Sequence, residues 1–252
     1  MSQRVVLFPG QGAQFVGMSA RLTERCPETA AMFDAASELM GRDLLELTTE
    51  GPEEVLNSTA VSQPAIFVVS LAAAKAIEAA GGADHLKVDA TAGLSLGEYS
   101  ALVFSGAMSF EDALEVVVRR GEFMQEACDR HPSGMTSLLG CDLETVRGIV
   151  DEASSAGVIG VANINAKNQI VVSGEHVALE KVAEIAPDRG ARRVVPLKVA
   201  GAYHSPLMAS ASEKLKPYLE KARDDRDLDL MQPAVNITEV QKEDFTESEE
   251  NL

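Results

Sequence analysis

Short runs of Val, Ile and Leu alternate with helical patterns along the first half of this 252-residue chain. The predicted strands are residues 5–8 and 88–92, and the predicted helices are residues 28–40, 64–80, 96–104 and 110–128. Strands that alternate with helices are typical of crossover units on a parallel sheet. The pattern therefore predicts an α/β fold with a buried parallel sheet.

The order of elements changes after residue 132. The predicted elements become strand, helix, strand, strand, helix and strand, at residues 135–139, 143–153, 158–164, 169–173, 177–186 and 193–199. This order is that of the ferredoxin-like split βαβ arrangement. We therefore expect a ferredoxin-like small domain, residues 132–199, inserted into a large α/β domain made of residues 1–131 and 200–238.

The end of the chain has a different composition. Residues 233–238 suggest one more strand, whereas residues 239–252 hold six acidic residues and a single lysine. A segment with so few apolar residues cannot offset the entropy lost on ordering. We expect an acidic, disordered tail.

Charge and cysteine content restrict the function. The chain has 22 basic and 39 acidic residues, a net charge of −17, which argues against binding nucleic acid or anionic membranes. Its three cysteines have no CxxC spacing, so we expect neither a disulfide framework nor a metal site. The N-terminal apolar run is too short for a signal peptide, and residues 65–74 are too short to span a bilayer. We expect a cytoplasmic protein, unless an organellar transit peptide has been removed.

The strongest motif is Gly93-Leu94-Ser95-Leu96-Gly97, which lies between a predicted strand and a predicted helix. In such a turn the serine oxygen lies at the mouth of the sheet, and the small glycines allow the neighbouring backbone to approach. The N–H of the residue after the serine can stabilise an oxyanion at the helix N-terminus. The motif predicts a nucleophilic serine; a tight structural turn is the alternative.

A nucleophilic serine needs a base, and His204 is the best candidate. It follows a predicted strand and precedes a helix whose cap would be Ser205, with Pro206 in the first turn. Ligands of open α/β sheets bind at that edge, although a packed core histidine is the alternative. The other histidines lie in segments typical of the surface: His85, His131 and His176.

Two adjacent arginines on the helix at 110–128 face different ways. Arg119 falls on the side of the glutamates, where it can form ion pairs. Arg120 falls in the middle of the apolar stripe, which consists of Ala113, Val117, Met124 and Ala127. A buried guanidinium needs an anion, either the carboxylate of a substrate or an internal salt bridge, and the sequence leaves both open.

The loop at 8–14, Phe-Pro-Gly-Gln-Gly-Ala-Gln, follows the first strand. It is not a dinucleotide fingerprint, because Phe15 stands where GxGxxG requires its last glycine. A glycine-rich loop beside the mouth of the sheet could instead supply a backbone N–H to an oxyanion, in this case the N–H of Gln11.

Several of these stretches, in this order, resemble the malonyl-CoA:acyl-carrier-protein transacylases of fatty-acid synthesis. The matching stretches are residues 8–14, Gln63-Pro64-Ala65, the Gly-Leu-Ser-Leu-Gly-Glu-Tyr-Ser-Ala-Leu segment at 93–102, residues 120–125, residues 169–174, and Gly-Ala-Tyr-His-Ser-Pro-Leu-Met at 201–208. The resemblance extends from residue 5 to about residue 238. Several separate motifs in one order make it specific.

The resemblance implies roles for seven residues. Ser95 is the acylated nucleophile, and His204 is its base. Arg120 binds the malonyl carboxylate, and the N–H groups of Gln11 and Leu96 form the oxyanion hole. Gln63 and Asn165 line the cleft. It also implies an α/β-hydrolase-like large domain with a ferredoxin-like insert. The substrate would be malonyl-CoA and the acceptor the phosphopantetheine thiol of acyl carrier protein, with no cofactor, no metal, no nucleic acid and no membrane. We expect a monomer.

The chain departs from the family in two places. Leu94 stands where most relatives have a histidine, a change that some members share. The family continues for several tens of residues beyond residue 252, including a carbonyl that orients the catalytic histidine, so we expect a C-terminally shortened member with impaired activity. The alternative functions are a serine hydrolase and a catalytically idle module that binds carrier protein.

Carrier proteins of this pathway are acidic, so docking on an acidic chain requires a local basic patch. The candidate residues are Arg189, Arg192, Arg193 and Lys198. A solvated helix–strand corner is the alternative interpretation of this cluster.

Overall fold

The computed structural model describes residues 4–82 and 88–224. The strands are β1 (Val5–Phe8), β2 (Ala90–Gly93), β3 (Ser133–Leu139), β4 (Ile159–Ala166), β5 (Gln169–Glu175) and β6 (Arg193–Pro196). The helices are α1 (Leu22–Arg25), α2 (Ala30–Met40), α3 (Leu44–Thr49), α4 (Glu53–Leu56), α5 (Thr59–Ile77), α6 (Gly97–Phe104), α7 (Phe110–Arg130), α8 (Leu143–Ala153), α9 (His176–Ile185) and α10 (Ala209–Asp224). The predicted strand at 233–238, the acidic tail at 239–252 and His85 lie outside the described residues.

Contacts divide the chain into two compact units. The first runs up to Glu122 and resumes at Pro217, and the second is Phe123–Lys216. Helices α7 and α10 each begin in one unit and end in the other.

The first unit contains a parallel strand pair. β1 and β2 pair in register from Val5 opposite Ala90 to Phe8 opposite Gly93, and α6 packs on both strands. The predicted α/β fold with a parallel sheet is thereby confirmed, although β2 begins at Ala90 rather than residue 88. The expectation that these strands are buried is wrong, because Val5 and Leu7 of β1 are exposed and β2 is at most half-buried. The fully buried side chains of this unit include Phe33, Leu44, Leu56, Phe67 and Val68.

Helix α5 begins at Thr59, so the prediction that it begins at Pro64 is wrong. Ser58 has extended backbone angles and precedes the first turn, and Pro64 lies inside the helix. A proline there removes the hydrogen bond to the carbonyl four residues earlier. Burial of the first turns outweighs this cost, because nearly every side chain from Thr59 to Val68 is buried.

The expectation that the apolar stretch is too short to span a bilayer is wrong on length, because the segment Thr59–Gly82 is long and apolar enough by length and composition alone, with a mean hydropathy of 1.6. However, 56% of this apolar window is buried inside the protein. A helix that is apolar all round is typical either of a membrane span or of a protein core. The burial matches the core helix of a soluble protein.

The second unit contains an antiparallel sheet with the strand order β4-β5-β3-β6. The six elements follow the predicted order, and α8 has the predicted bounds. β6 ends at Pro196 rather than residue 199, at the edge of the sheet where a proline is tolerated. Helices α8 and α9 pack on one face, with a core of Leu138, Val146, Ile149, Ile170, Val172, Leu179 and Val182. The other face packs on the end of α7 and on Tyr203 and Met208.

Candidate active site

The Gly-Leu-Ser-Leu-Gly motif forms a tight turn between β2 and α6. A Cβ atom on Gly93 would lie 2.0 Å from the carbonyl carbon of Gly97, and one on Gly97 would lie 2.3 Å from the Phe8 carbonyl oxygen. Both glycines are therefore required by the close approach of α6 to the two strands. Ser95 has φ of +53°, a left-handed conformation that is uncommon for a residue with a side chain. The strand–turn–helix setting predicted for Ser95 is confirmed.

The glycine-rich loop at 8–14 lies against this turn. A Cβ atom on Gly10 would come within 2.7 Å of the Leu94 carbonyl oxygen, so the loop passes directly beside the residue that precedes Ser95. Within the loop, the Gly12 N–H donates to Gln14 Oε1 at 2.8 Å. Gln11, which lies between these residues, is half-buried.

Arg120 is buried next to Ser95, with only 4% of its surface exposed. Its Nη1 donates to Gln63 Oε1 at 2.6 Å, and its Nη2 donates to Ser95 Oγ at 3.0 Å. The ring of Tyr99 lies beside the guanidinium, with 5.8 Å between Arg120 Cζ and the ring centroid. The structure thus brings together three of the predicted site residues, Gln63, Ser95 and Arg120.

The apolar stripe that predicted the burial of Arg120 is confirmed. All four of its residues are buried: Ala113, Val117, Met124 and Ala127. The adjacent Arg119 instead forms a 2.8 Å ion pair with Glu122, as its position among the glutamates predicts. Arg120 forms no ion pair with any residue in 4–82 or 88–224, so the internal salt bridge is not found in the described part of the chain.

Two ionisable groups on α6, Glu98 and Tyr99, lie close enough to Arg120 to interact with its charge. Burial raises the pKa of the Glu98 carboxyl, and the nearby positive charge of Arg120 partly opposes this shift. Burial also raises the pKa of the Tyr99 phenol, again against the influence of Arg120. An amide, a hydroxyl and an aromatic ring contact the guanidinium directly, and the Glu98 carboxyl lies close enough to interact with its charge. The planar guanidinium suits an anionic ligand such as a carboxylate.

His204 lies in the second unit and is half-buried. Its φ is +58°, and His204 and Ser95 are the two described non-glycine residues with positive φ. The predicted cap after it is confirmed, because Ser205 Oγ accepts the Leu207 N–H at 3.2 Å and Pro206 begins the next turn. A Cβ atom on Gly201 would lie 2.5 Å from Cys128 Sγ, so this segment is packed tightly against the end of α7.

The remaining predicted residues differ in burial. Asn165 lies near the end of β4 and is exposed. Leu96 is fully buried at the start of α6. No three His, Cys, Asp or Glu side chains cluster as metal ligands within the described ranges.

Tyr99 is a site residue that sequence reasoning did not identify. The sequence does contain a signal for Tyr99, because it stands four residues after Ser95, in the first turn of α6. An aromatic residue at helical spacing is common in any core, so the spacing alone does not distinguish it.

Comparison with known proteins gives a consistent result. The model of the acyl transferase domain family matches residues 5–251. Malonyl CoA-acyl carrier protein transacylase of Bacillus subtilis (strain 168) is 42% identical over 231 residues, which cover 91% of this chain and 71% of the relative. Among solved structures, the transacylase of Clostridium perfringens has a TM-score of 0.79 and 40% identity, covering 87% of this chain and 68% of that one. A malonyl-transacylase in complex with a type II PKS acyl-carrier protein has a TM-score of 0.80 and 37% identity, covering 88% of this chain and 71% of that one. The chain therefore belongs to the acyl transferase domain family, among the malonyl CoA-acyl carrier protein transacylases.

Proposed function

We propose that the chain transfers the malonyl group from malonyl-CoA to the phosphopantetheine thiol of acyl carrier protein. The observation that carries the proposal is the buried guanidinium of Arg120, which lies 3.0 Å from Ser95 Oγ and has no ionic partner among the described residues. The names of the relatives supply the substrate and the acceptor.

In the first half-reaction, Ser95 Oγ attacks the thioester carbonyl of malonyl-CoA and His204 accepts the hydroxyl proton. The N–H groups of Gln11 and Leu96 stabilise the oxyanion. The C–S bond then breaks, and His204 returns the proton to the departing thiolate, which leaves as free CoA. The product is a malonyl ester of Ser95.

In the second half-reaction, the carrier protein thiol gives its proton to His204 and attacks the ester carbonyl. The C–O bond breaks, and the serine oxygen recovers the proton. Malonyl carrier protein leaves, and the free hydroxyl of Ser95 is restored. The two products leave in ping-pong order.

Arg120 provides the selectivity for malonyl. The malonyl carboxylate is attached through one CH₂ to the acyl carbon that Ser95 holds, so a guanidinium that already reaches Ser95 Oγ can bind it with two hydrogen bonds. An acetyl group leaves the buried charge unpaired. Gln63, which accepts a 2.6 Å hydrogen bond from Arg120, holds the guanidinium from the other side. Asn165 is assigned to the polar lining of the substrate cleft.

We also propose how the chain is divided into domains and which fold each domain has. A large α/β-hydrolase-like domain comprises residues 1–131 and 200–238, and residues 132–199 form a ferredoxin-like insert. The parallel β1–β2 pair with its sharp serine turn supports the first assignment, and the strand order β4-β5-β3-β6 supports the second. We propose that the protein is monomeric and works in the cytoplasm.

The test is intact mass spectrometry after exposure to malonyl-CoA. The wild-type chain should gain one malonyl group, and Ser95→Ala should gain none, because the nucleophile is absent. Ser105→Ala is the matched control: Ser105 follows α6, and the hydrogen bond of its Oγ within the described residues goes to the Leu102 carbonyl at 2.9 Å. An adduct that persists in Ser95→Ala would remove the assigned nucleophile.

The second arm adds acyl carrier protein to the acylated enzyme. Transfer of the label to the carrier supports the transacylase. Release of free malonate identifies a serine hydrolase. Binding of the carrier without any acylation of Ser95 identifies an idle binding module.

A further inference from the structure

Tyr99 lies in the first turn of α6, four residues after Ser95, and is 5% exposed. Its ring centroid is 5.8 Å from Arg120 Cζ, within the range of a cation–π contact. The two terminal nitrogens of the guanidinium donate hydrogen bonds, one to Gln63 and one to Ser95. The ring adds a contact of a different kind, to the cation itself, and the Tyr99 phenol also hydrogen-bonds with the guanidinium.

An aromatic ring stabilises a cation without neutralising it. A carboxylate in this position would form an ion pair with Arg120 and compete with a carboxylate on the substrate. Burial raises the pKa of the Tyr99 phenol against the opposing influence of Arg120, so the ring stays neutral. A desolvated cation–π contact is also stronger than an exposed one.

The ring also limits where the guanidinium can lie. The arginine side chain has many rotamers, and fixing it in one geometry has an entropic cost. When several neighbours hold the guanidinium before the substrate arrives, less freedom is lost on binding. The hydrogen bond to Ser95 must yield when the serine is acylated, whereas the contact with the ring does not involve the reacting atoms.

We infer that Tyr99 is a positioning residue for Arg120 and thereby sets the preference for an acyl group that carries a terminal carboxylate. This inference rests on the proposed function, because it assumes that Arg120 binds the malonyl carboxylate. Tyr99 itself contacts neither the substrate nor the reacting atoms in this assignment.

The experiment compares the acylation of Ser95 by malonyl-CoA and by acetyl-CoA in two variants. Tyr99→Phe retains the ring and removes only the hydrogen bond between the phenol and Arg120, so its malonyl-to-acetyl preference should fall less than that of Tyr99→Leu. Tyr99→Leu removes the ring, so the preference should fall by about fivefold to thirtyfold, the range that corresponds to a buried cation–π contact. The loss should appear mainly as a higher half-saturation concentration for malonyl-CoA, with acetyl-CoA little affected.

Tyr218→Leu is the matched control. The ring of Tyr218 lies 5.9 Å from Cζ of Arg119, the neighbouring arginine, which is paired with Glu122. Its removal deletes a contact of the same type from the same unit and should leave the preference unchanged. An equal loss in Tyr218→Leu would mean that the effect is general destabilisation and would overturn the inference.

A graded series keeps the inference testable if Tyr99→Leu does not fold. Phenylalanine and its trifluoro and pentafluoro analogues, introduced at position 99, preserve the shape of the ring while weakening its attraction for cations. The malonyl preference should fall stepwise with fluorination. A malonyl preference that stays constant across the series would overturn the inference. The proposed function would still hold in that case, provided that malonyl-CoA acylates the wild-type protein. Failure of wild type to be acylated by either thioester would instead refute the proposed function.

Discussion

Arg120 and Arg119 are adjacent in sequence and have opposite surroundings. Arg119 is partly exposed and paired with Glu122, whereas Arg120 is buried and donates hydrogen bonds to Gln63 and Ser95. The apolar stripe on α7 predicts which arginine is buried, because helical periodicity is a local property. The nature of its partner could not be predicted, because that depends on which residues α5 and α6 bring to it. Gln63 is 57 residues away in sequence.

Replacement of Arg120 tests its role directly. Arg120→Ala should lower kcat/KM for malonyl-CoA by about 3 kcal/mol or more, a hundredfold or greater, because the substrate carboxylate would lose its buried partner. Acylation by acetyl-CoA should change little, so the variant should become relatively better with acetyl. The rates of Ser95 acylation with the two thioesters measure the effect.

Arg119→Ala is the control for this prediction, since it removes the same side chain one position earlier. Its loss breaks a half-exposed ion pair, which is worth at most about 1 kcal/mol. The malonyl preference should therefore be unchanged. If the two variants behaved alike, the anion-binding role of Arg120 would be wrong.

Backbone strain marks the two residues assigned to nucleophile and base. Ser95 and His204 both have left-handed φ, which costs a non-glycine residue about 1–2 kcal/mol. The turn at Ser95 is predictable, because the flanking glycines are part of a motif with a known geometry. No comparable glycine-flanked motif surrounds His204, so its left-handed backbone could not be predicted in the same way.

At the scale of elements, the contact between α5 and α7 determines the position of Gln63. A Cβ atom on Gly121 would lie 2.9 Å from the Thr59 carbonyl oxygen and 3.2 Å from Ala60 Cα. The first turn of α5 thus packs directly on the backbone of α7, beside Arg120. The sequence pattern missed this turn because Pro64 is a typical start of a helix, and only the tertiary contact shows that the helix begins earlier.

Gly121→Ala tests this contact. The added methyl group would displace α5, so we expect a loss of about 1–3 kcal/mol in the free energy of unfolding, as for overpacking in a core. Because the two helices carry Gln63 and Arg120, acylation by malonyl-CoA should also slow. Denaturant titration and the acylation rate are the two measurements.

Gly148→Ala, in a helix of the second unit, should change the free energy of unfolding in the opposite direction. A Cβ atom there meets nothing within 4 Å, so alanine should stabilise α8 by up to about 1 kcal/mol through its higher helix propensity. A Gly121→Ala variant as stable as Gly148→Ala would contradict the close packing of α5 on α7.

Element boundaries were predictable where a local signal marks them. α8 begins after Asp142, whose Oδ1 accepts the Thr145 N–H at 2.9 Å, and its predicted bounds are correct. α3 has a similar signal, because Asp43 accepts the Glu46 N–H at 2.8 Å. At six residues, however, α3 is too short for hydrophobic periodicity to reveal it.

At the scale of the whole molecule, the net charge of −17 opposes association with an acidic carrier protein. The basic cluster of the second unit could overcome this repulsion locally. Arg189, Arg192, Arg193 and Lys198 are all exposed, and Arg189 is already paired with Glu152 at 2.6 Å. Arg193 and Lys198 form no ion pair in the part of the chain that the structure describes, so their charges remain available to a partner.

The double variant Arg193→Glu/Lys198→Glu should lower kcat/KM for acyl carrier protein by about tenfold at low salt, because charge complementarity mainly sets the rate of encounter. The difference from wild type should shrink as ionic strength rises and screens the charges. Acylation of Ser95 by malonyl-CoA alone should be unchanged.

The control Arg42→Glu/Arg147→Glu changes the net charge by the same amount at exposed positions outside the cluster. If both double variants slow the carrier reaction equally, overall charge and not this cluster governs docking, and the four residues are a solvated corner.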